Sequence, residues 1–541
     1  MTAGQRMTHP AVQWPAQQLE THYADGRALR CFVERPRSLH ALLENALTCN
    51  PQGTALVCDD TRLSYAALDT QVGRLAAGWQ GLGVQAGDRI ALLLSNRIEF
   101  VLCLLAATRL GAITVPLSIR EQTPGLHYML DHCGAVMLVH DADLHGVLSA
   151  ADSLPALRWR VSFDGCADAL DFESLLAEQP LQQAAPVQEE DTAVILYTSG
   201  TTGRPKGAML SHLGIVHSCM HFQHGMGLGP NDCSIAAVPL SHVTGLVALI
   251  TTMLHAAGKL VILPVFKAPL FLQLAEREQM THSLMVPAMY KLCLMQPGFA
   301  DMQLASWRIG AYGGAPMPVA SIDELAATLP QLVLMNCYGA TETTSPATMM
   351  PPGETAAHND TVGVPVVCAE MQVMDDDGQA LPAGEMGEIW IKGPMVVSGY
   401  WANPEATAKE FVQGFWKSGD MGSIDAQGYV RILDRKKDML NRGGYKIYCI
   451  EVENTLYQHP AVAECAIVGK PCPVLGERVH AFISLRDSVT PEELTGFCAT
   501  RLSREKVPET FTLSTTPLPR NANGKLMKRE MREALLRSLA T

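Results

Sequence analysis

The stretch "RIALLLSNRIEFVLCLLAATRLGAITVPLS" (89–118) alternates short and long apolar runs between polar breaks. The run at 90–94 is short and shows no polar alternation. That pattern is expected of a parallel strand buried on both faces. The stretch therefore predicts strand, helix, strand, with Ser95 or Asn96 capping the helix and Gly111 ending it. Similar alternation recurs in "GKLVILP", "SLMVPAMYKLCLM" and "QLVLMNCYG", the rhythm of a layered α/β protein.

From residue 385 the texture changes. "GEIWIKGPMVVSGYW" and "GSIDAQGYVRILDR" predict short strands joined by Gly-containing turns. A polar, cation-rich segment follows, "DRKKDMLNRGGYK" (434–446), and then a small α+β unit ending at "PRNANGKLMKREMREALL". A domain boundary is expected within 434–438. The first 35 residues have weak periodicity and predict an arm packed on the main body.

Length and composition narrow the function. The 541 residues suggest two to four domains, and 48% hydrophobic content supplies large cores. A net charge of −13 argues against a nucleic-acid partner, so any polyanionic ligand must be held by local cations. The fifteen cysteines are scattered without CxxC pairs or zinc spacing, as in a reduced, cytoplasmic enzyme. The N-terminal "MTAGQRMTHPAVQWPAQQ" lacks the apolar core of a signal peptide. Arg109, His255 and Lys259 interrupt the longest apolar stretches, which read as buried core and not as transmembrane segments.

The stretch that carries chemistry is "YTSGTTGRPKGAMLSH" (197–212), entered from the strand-like "TAVIL". Gly200, Gly203 and Gly207 let backbone approach a ligand and turn N–H groups inward as an anion nest. Thr198, Ser199, Thr201 and Thr202 add hydroxyls, and Lys206 adds a point charge. A loop of this composition alone is more often a flexible linker, and the full string flanked by a strand reverses that reading. It is not a Walker A loop, because Gly207 follows Lys206 where that loop has Ser or Thr.

This stretch resembles the signature loop of the adenylate-forming superfamily, which includes acyl-CoA synthetases, nonribosomal adenylation domains and beetle luciferases. Further matches follow in order: "YGGAP" (312–316), "YGATE" (338–342), "SGDMG" (418–422), "DRKKDMLNRGG" (434–444) and "PRNANGK" (519–525). The resemblance spans residues 50 to 530. It implies a large N-terminal domain (1–434) of layered α/β sheets with a small β-barrel subdomain. A hinge (435–438) and a small, mobile α+β C-terminal lid domain (439–541) would follow.

It also implies roles. The 198–206 loop, with Thr198, Ser199, Gly200, Thr201, Thr202, Gly203 and Lys206, would hold the ATP phosphates. Gly313, Gly314 and Ala315 would flank the adenine, Tyr338 would stack on it, and Gly339 would line the same site. Thr341 would contact the α-phosphate, and Glu342, with Thr198, would hold Mg²⁺. Asp420 and Arg435 would contact the ribose. Lys525 would bridge carboxylate and phosphate during adenylation, and Lys437 would be the pivot. Gly443 and Gly444 would line a tunnel for the CoA thiol. His242 would be a gate between the half-reactions. The acyl pocket would be walled by His242, Val243, Met285, Ala311, Gly313 and Gly339, whose small and apolar character suits a fatty or aryl acid. Taken singly, Lys525 and Glu342 are ordinary exposed charges, and His242 an ordinary structural histidine. Cys449 stands where relatives often carry proline.

The implied reaction joins a carboxylic acid to CoA, consuming ATP and releasing AMP and pyrophosphate. The rival reading is a stand-alone adenylation enzyme loading a separate carrier protein, since no "GGxS" serine follows residue 530. A luciferase-like oxygenase and a regulator that has lost catalysis are more distant alternatives. A homodimer is left open.

Overall fold

Strands and helices form where burial dictates. In the computed structural model, which describes residues 14, 17–148, 153–163, 165–198, 204–443, 445–520 and 526–540, the first apolar run becomes the strand Arg89–Leu93. It lies between two parallel neighbours, Ile113–Pro116 and Met137–His140, and its apolar residues are fully buried. The helix Ile98–Arg109 connects the first two of these strands.

Its start differs from expectation. Arg97 is the N-cap residue and makes no capping bond. Asn96 instead donates to the carbonyls of Val238 (2.9 Å) and Leu263 (3.1 Å), which follow strands of the other sheet. The Ser95 N–H donates to Asp141. Tertiary partners hold the Asn96 amide and the Ser95 N–H, and Arg97 stands at the N-cap in their place. Gly111 follows the helix with φ +67°, as the stop signal required. Arg109, which broke the apolar run, is buried by pairing with Asp69 and donating to the Leu181 carbonyl.

The chain divides into two compact units. The larger comprises Met1–Gln372, Trp390–Lys417 and Asp425–Val430. The smaller comprises Val373–Ile389, Ser418–Ile424 and Arg431–Thr541.

The larger unit holds the two largest sheets among the described residues. One has seven strands, in the order Lys206–Ser211, Thr192–Thr198, Ile113–Pro116, Arg89–Leu93, Met137–His140, Trp159–Ser162, Leu170–Asp171. The other has nine, in the order Val364–Pro365, Thr348–Met349, Val333–Tyr338, Ile309–Tyr312, His282–Met285, Cys233–Ala236, Lys259–Ile262, Thr54–Cys58, Thr61–Ser64. The six strands from Val333–Tyr338 to Thr54–Cys58 run parallel. The weakly periodic N-terminal segment contains an antiparallel hairpin, Leu19–Ala24 with Arg27–Phe32, packed on Leu213.

The smaller unit is α+β. The antiparallel pair Val462–Cys472 and Gly476–Leu485 packs on the helices Cys449–Tyr457 and Pro491–Ala499 around Val452, Ile467, Val479 and Leu494. Cys449 opens its helix at the first helical position, where proline is favoured. Its N–H donates to the buried Asp434 carboxylate, which a proline could not do. Among the described residues no helix is long and apolar enough to cross a membrane.

Candidate active site

Four neighbouring parallel strands of the nine-stranded sheet end side by side: Val333–Tyr338, Ile309–Tyr312, His282–Met285 and Cys233–Ala236. Their register aligns Met285 with Tyr312, and Tyr312 with Asn336. Open α/β sheets bind ligands beyond the carboxyl ends of such strands. Of the predicted residues, Met285, Ala311, Gly313, Gly314, Ala315, Tyr338, Gly339, Thr341 and Glu342 lie at or just beyond three of these ends. His242 and Val243 follow the fourth.

Local chemistry explains how each is held. Met285 and Ala311 are fully buried. A Cβ on Gly313 would stand 2.4 Å from the Cys337 carbonyl oxygen, so the strand-end crossover admits only glycine there. Gly314 has φ +77°, the left-handed region. Thr341 and Glu342 form the turn Thr341–Thr343, closed by the Ala340 N–H donating to Thr343 Oγ1 at 2.9 Å. The next residues, Thr344 (φ +51°) and Ser345 (φ +41°), are also left-handed although neither is glycine. For a β-branched residue that conformation is strained, and such strain gathers at functional sites.

His242 and Val243 are half-buried and precede Thr244–Thr251, whose turns are π-helical. Wide turns of this kind recur at functional sites. The His242 carbonyl accepts from Leu246 N at 2.8 Å. Gly245 is enforced, since a Cβ would lie 2.2 Å from the Pro239 carbonyl oxygen.

The phosphate-loop candidates belong to the seven-stranded sheet. Thr198 and Lys206 face each other across an antiparallel hairpin, and Thr198 Oγ1 donates to the Lys206 carbonyl at 3.4 Å. Ser199, Gly200, Thr201, Thr202 and Gly203 lie outside the described residues. Gly207 is not part of an anion nest. It is a strand residue opposite Tyr197, and a Cβ on it would stand 2.7 Å from the Ile195 side chain. Its glycine is a packing requirement.

One segment ties the two sheets together. Val397 N donates to the Glu342 carbonyl (3.0 Å), Met209 N to Gly399 (3.1 Å), and Trp401 N to Gly207 (2.7 Å). Between these bonds, Tyr400 projects a buried ring. Its hydroxyl lies 2.6 Å from Glu410 Oε2 and 3.0 Å from Glu342 Oε1. Lys206 pairs with Glu410 and sits 4.4 Å from the Tyr400 ring centroid. Burial and the two carboxylates hold the Tyr400 phenol well above its ordinary titration range. Sequence reading missed both Tyr400 and Glu410. Neither lies in a glycine-rich loop, and Glu410 ends an ordinary helix, Pro404–Glu410.

In the smaller unit, Asp420 and Arg435 are brought together: Arg435 Nε lies 2.9 Å from Asp420 Oδ1. Arg435 also donates to the Ser418 carbonyl at 2.9 Å. Asp434 just before it is pushed up to about 6 by burial, against the pull of the Lys528 ammonium. Lys437 is exposed on the turn that follows. Gly443 has φ +61° and donates its N–H to Leu475 at 2.7 Å. Gly444 and Lys525 lie outside the described residues.

Residues 43–401 match the AMP-binding enzyme family, and residues 451–525 match the AMP-binding enzyme C-terminal domain. The chain belongs to the AMP-binding enzyme family. It is an adenylate-forming enzyme of the acid–thiol ligase class, and its mixed α/β architecture is that of the family. A feruloyl-CoA synthase of an Amycolatopsis species is 34% identical over 486 residues, covering 89% of this chain and 96% of that protein. A long-chain-fatty-acid–CoA ligase of Mycobacterium tuberculosis is 30% identical over 499 residues, covering 91% and 97%. Among solved structures, an anthranilate CoA ligase in complex with anthranoyl-AMP superposes with a TM-score of 0.86 at 27% identity, covering 94% of this chain and 99% of that one.

Proposed function

We propose that this chain activates a hydrophobic carboxylic acid, an aryl acid before a fatty one, as its acyl-adenylate and then transfers the acyl group to CoA. The observation that supports the reading is that Gly313, Gly314, Ala315, Tyr338, Thr341 and Glu342, together with the candidate acyl residues, lie at or beyond the carboxyl ends of four adjacent parallel strands. The activities named for the relatives favour CoA as acceptor over a carrier protein, and the feruloyl-CoA synthase among them is named for an aryl acid.

Each residue has a task in that chemistry. The N–H groups and hydroxyls of the 198–206 loop, with Lys206, hold the departing pyrophosphate. Thr341 donates to the α-phosphate as charge builds on it. Tyr338 and the Gly313–Ala315 backbone border the adenine, and Asp420 with Arg435 receives the ribose. Lys525 bridges the attacking carboxylate and the phosphate. Met285, Ala311, Val243 and His242 border the acyl chain, and Gly313 and Gly339 leave it room. The hinge falls at 435–438, with Lys437 its pivot, and Gly443 with Gly444 admits the thiol.

The oxygen-only donors here suit a hard cation, because the Glu342 carboxylate and the Thr198 hydroxyl are the ligand types Mg²⁺ takes. Glu342, with Thr198, would hold it. When bound, Mg²⁺ neutralises phosphate charge. The reduced, scattered cysteines support a cytoplasmic location.

A panel of aryl and fatty acids, read by pyrophosphate release with and without CoA, tests the proposal. Release with an aryl acid, and thioester formed with free CoA, is the expected result. Absence of labelled pyrophosphate exchange into ATP with every acid would overturn it.

A further inference from the structure

Lys206 opens the strand Lys206–Ser211, and only 11% of its side chain is exposed. A lysine side chain with four rotatable bonds normally explores many rotamers. This one is held on one side by the Glu410 carboxylate and on another by the face of the Tyr400 ring, 4.4 Å from its centroid. Tyr400 in turn reaches Glu342 at 3.0 Å and Glu410 at 2.6 Å. A phenol carries one proton and can donate to one carboxylate at a time. The two acids therefore share one donor, and the Lys206 ammonium balances the charge of Glu410.

The four side chains come from three separate parts of the sequence, at 206, 342 and 400–410. The backbone bonds of Val397 to Glu342 and of Trp401 to Gly207 fix Tyr400 between the two sheets whatever its hydroxyl does. Phe411 packs edge-on against its ring at 5.5 Å.

We propose that Tyr400 and Glu410 are positioning residues for nucleotide: together they hold the Lys206 ammonium and the Glu342 carboxylate at a fixed separation before ATP arrives. The cation is thereby aimed at the terminal phosphates and the carboxylate at the accompanying divalent ion. The ordering is completed in advance, so binding does not have to supply it. Both residues act through Lys206 and Glu342. The inference rests on the ATP-dependent reading above.

The test uses the whole chain with Tyr400→Phe, which keeps the ring, and Glu410→Gln, which keeps the shape. ATP binding is measured by calorimetry without acid, at several free Mg²⁺ concentrations, beside wild type. Both variants should bind ATP about tenfold more weakly. Tyr400→Phe should also need more free Mg²⁺ for half-maximal binding. Thioester formation from supplied acyl-adenylate and CoA should stay within about twofold of wild type, and melting temperatures should change little, as a purely structural role would not allow. Unchanged or tighter ATP binding in both variants would overturn the proposal, as would equal loss of both half-reactions. If wild type binds ATP but activates no acid, the functional reading fails while this inference is still tested by binding.

Discussion

Gly313→Ala is the substitution whose consequence can be worked from distances. The new Cβ would stand 2.4 Å from the Cys337 carbonyl oxygen. An ordinary C–H···O contact is about 3.3 Å, so roughly 0.9 Å must be found. It is hard to find within the sheet, because Tyr312 and Asn336 are paired in register just before the crossover and strand spacing is set by hydrogen bonds at about 4.8 Å. The displacement should fall on residues 313–315, which are exposed or half-buried and begin the proposed adenine border. Overpacking of this kind costs about 1–3 kcal/mol. If the strain appears only when nucleotide must fit, KM for ATP rises roughly fivefold to hundredfold. The assay is pyrophosphate exchange at varied ATP and saturating acid, beside a thermal melt. A lowered melting temperature with an unchanged KM for ATP would refute the reasoning, because the strain would then have been relieved away from any nucleotide.

Three other outcomes are expected. Lys525→Ala should lower adenylate formation by about two orders of magnitude or more and spare thioester formation from supplied acyl-adenylate, read by comparing the two half-reactions. His212, His217, His255 and His282 are each lowered to about 4, chiefly by burial, and His217 accepts the Phe32 N–H at Nε2 while donating from Nδ1 to Leu213. Their folded values lie below the unfolded one, so their stability is complete above pH 6.5 and is lost as pH falls toward 4, at about 1.4 kcal/mol per histidine per pH unit. Urea melts between pH 7 and 5 should show that slope, and a flat profile would contradict it. Gly496→Ala in the helix Pro491–Ala499, where a Cβ meets nothing within 4 Å, should stabilise by about 0.5–1 kcal/mol in a denaturant melt.

What could be read from the sequence was what depends on neighbours along the chain. Buried parallel strands leave largely apolar runs, and Arg89–Leu93, Val333–Tyr338 and all but the first residue of His282–Met285 lie within stretches that carried the α/β rhythm. Gly111 at a helix end shows its purpose locally in the same way. Reading failed where a partner distant in sequence decides. Asn96 looked like a cap, but the carbonyls of Val238 and Leu263 claim it. Gly207 looked like part of a phosphate nest, but Ile195 across the hairpin requires it.

The same distinction explains why Tyr400 and Glu410 escaped notice. A phenol shared by two acids, one of them 58 residues away, creates no period and no composition bias. Its meaning appears only when the 397–401 segment is stitched to both sheets. The strands flanking the proposed phosphate loop and the turn that carries Glu342 belong to different sheets, each folding on its own strand register. Something must fix their separation, since the chemistry needs cation and carboxylate at a set distance and sheet packing alone tolerates small shifts. A short buried bridge anchored by backbone on both sides does this with little freedom left in the side chains. Residues of that kind are therefore where sequence patterns should be expected to be silent and coordinates informative.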